Sequence, residues 1–378
     1  VKPLLNDILP LKQWLTDHSD FLKITGPCSA ETPEQVNSVM ENLASLPGLH
    51  YVRFGVWKPR TRPNSFEGNG KAALAWLRNA AKETGLKQMI EVADAQHVEA
   101  ALEAGIEALW IGARTTVNPF SVQNIADALR GVDVPVFVKN PISPDLPLWL
   151  GALERVHASG IRKIVAVHRG FTSYDAHPYR NAARWEIPLQ LKGMIPELPV
   201  ICDPSHIAGR RDLVPEVAQK ALDFGMQGLM VESHPNPDSA WSDAAQQLSI
   251  QDLPDFWARL EYSTSSGPSP EFNDRLWALR KLIDSLDEDL LNVLARRMEY
   301  TREIGQHKAE HNITLFQLER WNEILESRTR RADELGLDAD FIKTMWMDMH
   351  QRGLEVQAKA VESLRKTEIR RKNKLPRA

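Results

Sequence analysis

Cysteine is nearly absent: Cys28 and Cys202 are the only two in 378 residues. They leave a secreted chain with one disulfide as an alternative, and a reduced, cytoplasmic chain is the expectation. Long apolar runs are missing as well. None approaches the roughly 20 residues that cross a bilayer, and the opening residues VKPLLNDILPLKQW carry no leader pattern. An excess of one charge is also lacking. Forty-six basic residues face fifty acidic ones, for a net charge of −4, so the chain as a whole is no electrostatic binder of nucleic acid. What is present, 43% hydrophobic and 25% charged residues, is ordinary globular composition. The length points to two domains.

Eight short apolar runs recur between residues 21 and 260. Each has a polar residue at its end or just beyond it. FLKITG leads to Cys28, YVRFG carries Arg53 and then Lys58, QMIEV carries Glu91, and ALWIGA precedes Arg114. VPVFV precedes Lys139, KIVAVH precedes Arg169, PVICDPS precedes His206, and GLMV precedes Glu232. Amphipathic stretches lie between the runs: 33–46, 70–84, 96–104, 122–129, 148–159, 212–224 and 239–248. Thr32-Pro33 and Asp94 read as helix starts, Gly105 and Gly225 as stops. Eight strand–helix units predict a (β/α)₈ TIM barrel, in which the C-terminal strand ends converge on one site. The long connections 53–70 and 169–185 are expected to shape that site.

The converging residues sort into two chemistries. One thiol, one imidazole and two carboxylates, from Cys28, His206, Glu232 and Asp243, could form one metal site. The ends of strands one, seven and eight are neighbours in a closed barrel, which brings the first three together. The mixed donor set suits Mn, Fe, Co or Zn, and such an ion polarises a carbonyl. Arg53, Lys58, Arg60, Arg114, Lys139 and Arg169 place cations at several strand ends. Like charges crowded in a barrel mouth call for an anionic ligand, which arginine binds in a bidentate manner.

Composition shifts near residue 261. EYSTSSGPSP reads as a linker, and strand signals stop. Leu276, Leu279, Ile283, Leu286, Leu290 and Val293 form a heptad-like stripe. Two further helices are expected, at about 318–335 and 338–364. The expected organisation is a barrel over 1–262, a linker over 263–272, a three-helix all-α domain over 273–365 and a frayed basic tail over 366–378. Arg297 falls on the stripe and needs an anionic partner there. Lys308 lies about three turns on and points the same way, whereas Arg280 points about 100° away and could serve a partner chain's pocket.

GPCSAE at 26–31, RFGVWKPRTRPNSFEG at 53–68, GAR at 112–114, VKN at 138–140, HRGF at 168–171, DPSH at 203–206 and VESHPNPDSAWSD at 231–243 resemble the DAHP synthases. The resemblance lies closest to the compact subgroup shared with octulosonate phosphate synthases, and KPRT at 58–61 favours the heptulosonate branch. No extra N-terminal regulatory domain of the kind some relatives carry is expected. The resemblance implies metal-dependent condensation of phosphoenolpyruvate with erythrose 4-phosphate. It gives the metal to Cys28, His206, Glu232 and Asp243, and the phosphoenolpyruvate carboxylate to Arg53 and Lys139. Its phosphate goes to Arg114 and Arg169, proton donation to Lys58, the erythrose phosphate to Arg60 and Thr61, and a water to Glu91.

LRKLIDSLDEDLLNVLARRMEYTREIGQHKAE at 279–310, QLERW at 317–321 and LEVQ at 354–357 resemble the all-helical chorismate mutases. These are intertwined dimers, so a homo-oligomer is implied. Arg280 of the partner, Arg297 and Arg320 would bind the carboxylates of chorismate. Lys308 and Gln357 would bond the ether oxygen, and no cofactor is required. Gln317, Trp321 and Gly353 depart from the family's usual acidic residue, Glu and Ser. Together the two resemblances imply a bifunctional enzyme of aromatic amino-acid biosynthesis with feedback control by prephenate or chorismate. Two alternatives stand beside it: a synthase whose helical domain is only a dimerising ligand sensor, and an octulosonate synthase. Neither nucleic acid nor membrane is an expected partner.

Overall fold

The eight apolar runs form parallel strands: β1 Leu22–Gly26, β2 Tyr51–Phe54, β3 Gln88–Val92, β4 Ala108–Ile111, β5 Val136–Lys139, β6 Ile164–His168, β7 Val200–Cys202 and β8 Gly228–His234. Their order follows the chain, and β1 pairs with β8 from Leu22↔Gly228 to Gly26↔Glu232, so the sheet closes into a barrel. The computed structural model describes residues 5–58, 66–173, 176–262 and 269–372. It divides into two units, Val1–Ser265 and Ser266–Ala378. Helices follow the strands in turn: α1 Pro33–Leu43, α2 Lys71–Thr84, α3 Ala95–Glu103, α4 Pro119–Ala128, α5 Leu146–Ala158, α6 Glu186–Met194, α7 Val214–Asp223 and α8 Leu253–Arg259.

Local chemistry sets the helix ends. Thr32 accepts a bond from the Gln35 amide and Pro33 takes the first helical position of α1, whose Val36, Val39, Met40 and Leu43 form one buried face. Asp94 caps α3 by accepting from the His97 amide at 2.8 Å. Gly105 and Gly225 adopt φ of 81° and 71°, the left-handed region that ends a helix with little steric cost for glycine. One expected helix is corrected. Residues 239–248 do not form the eighth helix. They hold 3₁₀ turns at Pro237–Ser239 and Ala244–Gln246 and the short strand Leu248–Ser249. Asp243, at φ 49°, breaks the repeat, so the eighth helix starts only at Leu253, with Pro254 in its first turn.

Inside the barrel, side chains repeat every second residue. Leu22, Ile24, Tyr51, Met89, Trp110, Phe137, Val165, Val167, Ile201 and Met230 join Leu11 and Leu15 in one buried cluster. Leu11 comes from the short helix Leu11–Trp14 that precedes β1. A second cluster, between sheet and helices, holds the outward-facing side chains.

The second unit is three helices: α9 Pro270–Glu310, α10 Leu318–Glu334 and α11 Ala339–Lys372. On α9 the stripe is open within the chain, with Ile283 56% and Leu286 66% exposed. Farther along, α9 lies against α11 so closely that a Cβ at Gly305 would stand 2.7 Å from Gln357 Cα. The basic tail is also corrected: α11 runs on to Lys372. Its first basic residues are good helix formers, and Lys366 pairs with Glu362 one turn back. Among the described residues, no helix is long and apolar enough to cross a membrane.

Candidate active sites

The period-two register that fills the barrel with apolar side chains becomes polar at its C-terminal end. Two residues beyond Tyr51 stands Arg53; beyond Met89, Glu91; beyond Phe137, Lys139; beyond Val167, Arg169; beyond Ile201, Asp203; beyond Met230, Glu232. Arg53, Lys139, Arg169, Asp203 and Glu232 are all buried. Lys58, Glu91, Arg114, Lys139, Arg169, His206 and Asp243 line one cleft together with Gly112 and Ala113. A Cβ at Gly112 would stand 1.9 Å from Glu91 Oε1, so glycine there leaves the carboxylate its room. Arg60 and Thr61 lie outside the described residues.

Buried charges require partners, and Asp203 supplies the central one. Its Oδ2 accepts from Lys139 Nζ at 2.6 Å and from Arg53 Nη1 at 3.4 Å. Arg53 Nη2 also donates to Glu232 Oε1 at 2.9 Å. Burial opposes the Asp203 charge, but His206 and Lys139 hold the carboxyl well below the usual range. Burial likewise opposes the charge on Arg53, and Glu232 and Asp203 outweigh it, so the guanidinium binds its proton more firmly than usual. Arg169 and Lys139 differ. Burial, with Arg180 and Arg114 nearby, pulls Arg169 down to about 10. Burial also lowers Lys139, only partly offset by Asp203. Cations held below their ordinary range beside an open cleft form a site that an anion would stabilise.

Cys28 Sγ and carboxylate oxygens of Glu232 and Asp243 lie within 4.8 Å of one another. Burial and the Glu232 charge push the Cys28 thiol up to about 12, although Lys58 Nζ donates to Sγ at 2.8 Å. Three groups that become anionic together crowd one point, and a divalent cation would relieve that crowding. The sulfur and oxygen donors suit a borderline transition metal. His206, the fourth expected ligand, stands beside the trio. Its Nε2 is 3.8 Å from Glu232 Oε1, and its Nδ1 is 2.8 Å from Asp203 Oδ2 but not aligned for a hydrogen bond to it. The residues present fit a metal.

Residues without a role in the sequence reading complete the mouth. Arg180 Nη1 donates to Asp243 Oδ1 at 2.9 Å and to Gln246 Oε1 at 2.8 Å. Gln246 Nε2 in turn donates to Glu232 Oε2 at 2.7 Å. Arg180 thus orients one expected ligand while Gln246 orients another. Asn140 Oδ1 accepts from the Arg169 amide at 2.7 Å, and Asn181 Oδ1 accepts from Arg169 Nη1 at 3.0 Å. The period-two register could have flagged Asp203. Arg180 and Gln246 sit in irregular segments that carry no periodic signal.

In the helical unit, Arg297 and Gln357 face each other's helices, and Lys308 Nζ donates to the Leu315 carbonyl at 2.6 Å. Arg297 Nη1 and Gln357 Oε1 are buried and meet no hydrogen-bonding partner. Arg320 is exposed and pairs with Glu323 at 2.9 Å. Arg280 is exposed.

Comparison with known proteins decides the assignment of the barrel. Residues 15–266 match the model of the DAHP synthetase I family. The chain belongs to that family. Such synthases are generally divalent-metal dependent, in keeping with the Cys28, Glu232 and Asp243 cluster. Residues 279–358 match chorismate mutase type II, so a DAHP synthase domain is followed by a chorismate mutase domain. The chain is 32% identical over 231 residues to a phospho-2-dehydro-3-deoxyheptonate aldolase of Thermotoga maritima, covering 61% of this chain and 66% of that protein. The crystal structure of the Thermotoga maritima DAHP synthase superposes with a TM-score of 0.57 at 29% identity, covering 70% of each chain. The T-protein of Enterobacter agglomerans is 40% identical over 68 residues, 18% of each chain.

Proposed function

We propose that the chain is a bifunctional enzyme that condenses phosphoenolpyruvate with erythrose 4-phosphate and rearranges chorismate to prephenate. The observation that carries the first activity is the cleft where buried Arg53, Lys139 and Arg169 adjoin the Cys28, Glu232 and Asp243 cluster. Arg53 and Lys139 hold the phosphoenolpyruvate carboxylate, and Arg114 and Arg169 its phosphate. Arg60 and Thr61 hold the erythrose phosphate. Cys28, His206, Glu232 and Asp243 hold a divalent metal, which when bound supplies Lewis acidity toward the aldehyde. The enol carbon forms the new C–C bond to the aldehyde carbon, and Lys58 delivers a proton to the resulting alkoxide. Glu91 orients the water that adds to the adjacent carbon, the oxocarbenium-like centre that bears the phosphate, and phosphate leaves that centre by C–O cleavage. Fixed cations stabilise charge as it moves, and holding both substrates together removes much of the entropic barrier. Purified protein should consume phosphoenolpyruvate with erythrose 4-phosphate and stop on addition of a chelator. Preference for arabinose 5-phosphate would favour the octulosonate reading instead.

For the helical domain, the supporting observation is the cationic pair Arg297 and Lys308 beside Gln357, with buried polar atoms left for a ligand. Chorismate's rearrangement needs only placement and electrostatics. The open stripe of α9, Ile283 to Val293, supports a second copy as its cover. In that dimer Arg280 completes the partner's site. Arg280→Ala and Lys308→Ala chains, each nearly inactive alone, should regain one working site in mixed dimers. No recovery despite demonstrated subunit exchange would reject the cross-chain role.

Prephenate or chorismate, bound to the helical domain, is further expected to inhibit the synthase. The two reactions stand at the beginning and near the end of one route, and a ligand that favours one state of the chain shifts its population. Linkage then requires barrel substrates to alter the mutase-site affinity in return. Saturating prephenate should slow the full chain but not a chain ending near Ser263. Equal insensitivity of both, or inhibition that survives the truncation, would rule this out and leave the helical domain uncoupled.

A further inference from the structure

His350, Gly353 and Gln357 share one face of α11, at spacings of three and four. That face lies on α9. A Cβ at Gly305 would stand 2.7 Å from Gln357 Cα, and one at Gly353 would stand 3.4 Å from Thr301 Cγ2. Continued by one turn, this antiparallel register sets His350 opposite Arg297. Trp321 of α10 stacks on the imidazole, with centroids 4.0 Å apart and planes 18° apart, and Phe316 lies edge-on at 5.9 Å. His350 Nε2 is nonetheless buried and meets no hydrogen-bonding partner, the same condition as Arg297 Nη1 and Gln357 Oε1. A buried polar atom left unpaired is costly. Three of them on two facing helices are explained together by one polar ligand.

We propose that His350 is a ligand-contacting residue of the helical-domain site, where its Nε2–H donates to a carboxylate of chorismate or prephenate while Trp321 fixes the ring plane. The inference rests on the mutase-site reading given above. Trp321 meets the ring with its face and Gly353 has no side chain, so the unpaired polar atom on this face of α11 beside them is His350 Nε2. Burial, then Arg297 and Lys308, keep the free imidazole below its ordinary range. Arg352, paired with Glu355, and Arg320, paired with Glu323, are exposed ion pairs on α11 and α10. Trp321 and Phe316 bring no charge. A dicarboxylate entering between Arg297 and Lys308 offsets both cations and raises the proton affinity of the ring. Binding therefore takes up a proton, and affinity rises as pH falls from about 8 toward about 6.

The test is calorimetric titration of the full chain with prephenate at about pH 6 and about pH 8, for wild type, His350→Gln and His350→Phe. Phenylalanine keeps the stack on Trp321 without Nε2, and thermal melts by circular dichroism check that each variant folds. Wild type should bind more tightly at the lower pH. Both variants should lose about tenfold in affinity there, the size of one hydrogen bond to a charged group, and should lose the pH slope. Wild-type affinity and slope in folded His350→Gln or His350→Phe overturn the role of His350 alone. Failure of wild type itself to bind prephenate overturns the mutase-site reading together with it.

Discussion

Cys28→Ala is expected to lower synthase turnover about a thousandfold or more, because metal-assisted charge stabilisation supplies several kcal/mol. The substitution removes the one soft donor from the cluster with Glu232 and Asp243. The oxygens that remain are a poorer match for a transition metal. It also leaves Lys58 without the sulfur it now contacts at 2.8 Å. Cys28 belongs to the Val1–Ser265 unit, so chorismate turnover and the melting of the helical unit should be unchanged. Phosphoenolpyruvate consumption measured across a metal titration is the check. Near-normal, metal-stimulated turnover by the variant would reject the ligand set.

Asp203→Ala is expected to destabilise the barrel by about 3–5 kcal/mol, the cost of stranding buried charges. Asp203 faces Lys139 at 2.6 Å, Arg53 at 3.4 Å and His206 at 2.8 Å. Removing it leaves like charges side by side with less compensation. Asp203→Asn keeps the volume but not the charge and should recover little. The sign of the pH effect follows from a depressed carboxyl. Its contribution is fully present above the unfolded value of about 3.9 and fades as pH falls through the folded value. Between about pH 5 and 8 the loss should therefore be constant, whereas below about pH 4 wild type and variant should converge. Urea unfolding of the barrel transition, followed by tryptophan fluorescence, measures both. A loss under about 1 kcal/mol would mean that the cations find other partners.

Much of the barrel was legible because its signals are local and repeated. Apolar runs such as ALWI and VFVK are buried on both faces, and the caps Thr32 and Asp94 accept the bonds their spacing implies. The nearness of Cys28 to Glu232 followed from closure, since β1 and β8 pair residue by residue up to Gly26↔Glu232. The stretch 239–248 misled because its apolar spacing mimics a helix, while the left-handed Asp243 is a backbone state that spacing does not encode. Arg180 and Gln246 escaped notice because their task is set by distant contacts, 63 residues apart for Arg180–Asp243. In the helical unit the stripe announced a long helix. Which side chains would cover it cannot be read from one chain's periodicity, and within the chain Leu286 remains open.

The apolar filling beneath the mouth makes the barrel a vessel with one door. Leu11 and Leu15 join the buried floor beneath Trp110 and Phe137. The Arg53 guanidinium and the Lys139 ammonium lie over the Trp110 ring, 5.1 and 5.8 Å from its centroid. Nothing as large as a sugar phosphate can pass through that floor. Arg53 and Lys139 rest on that floor, so a molecule that reaches them comes and goes through the mouth. Access is in this sense a property of packing, written in side chains that never touch a ligand.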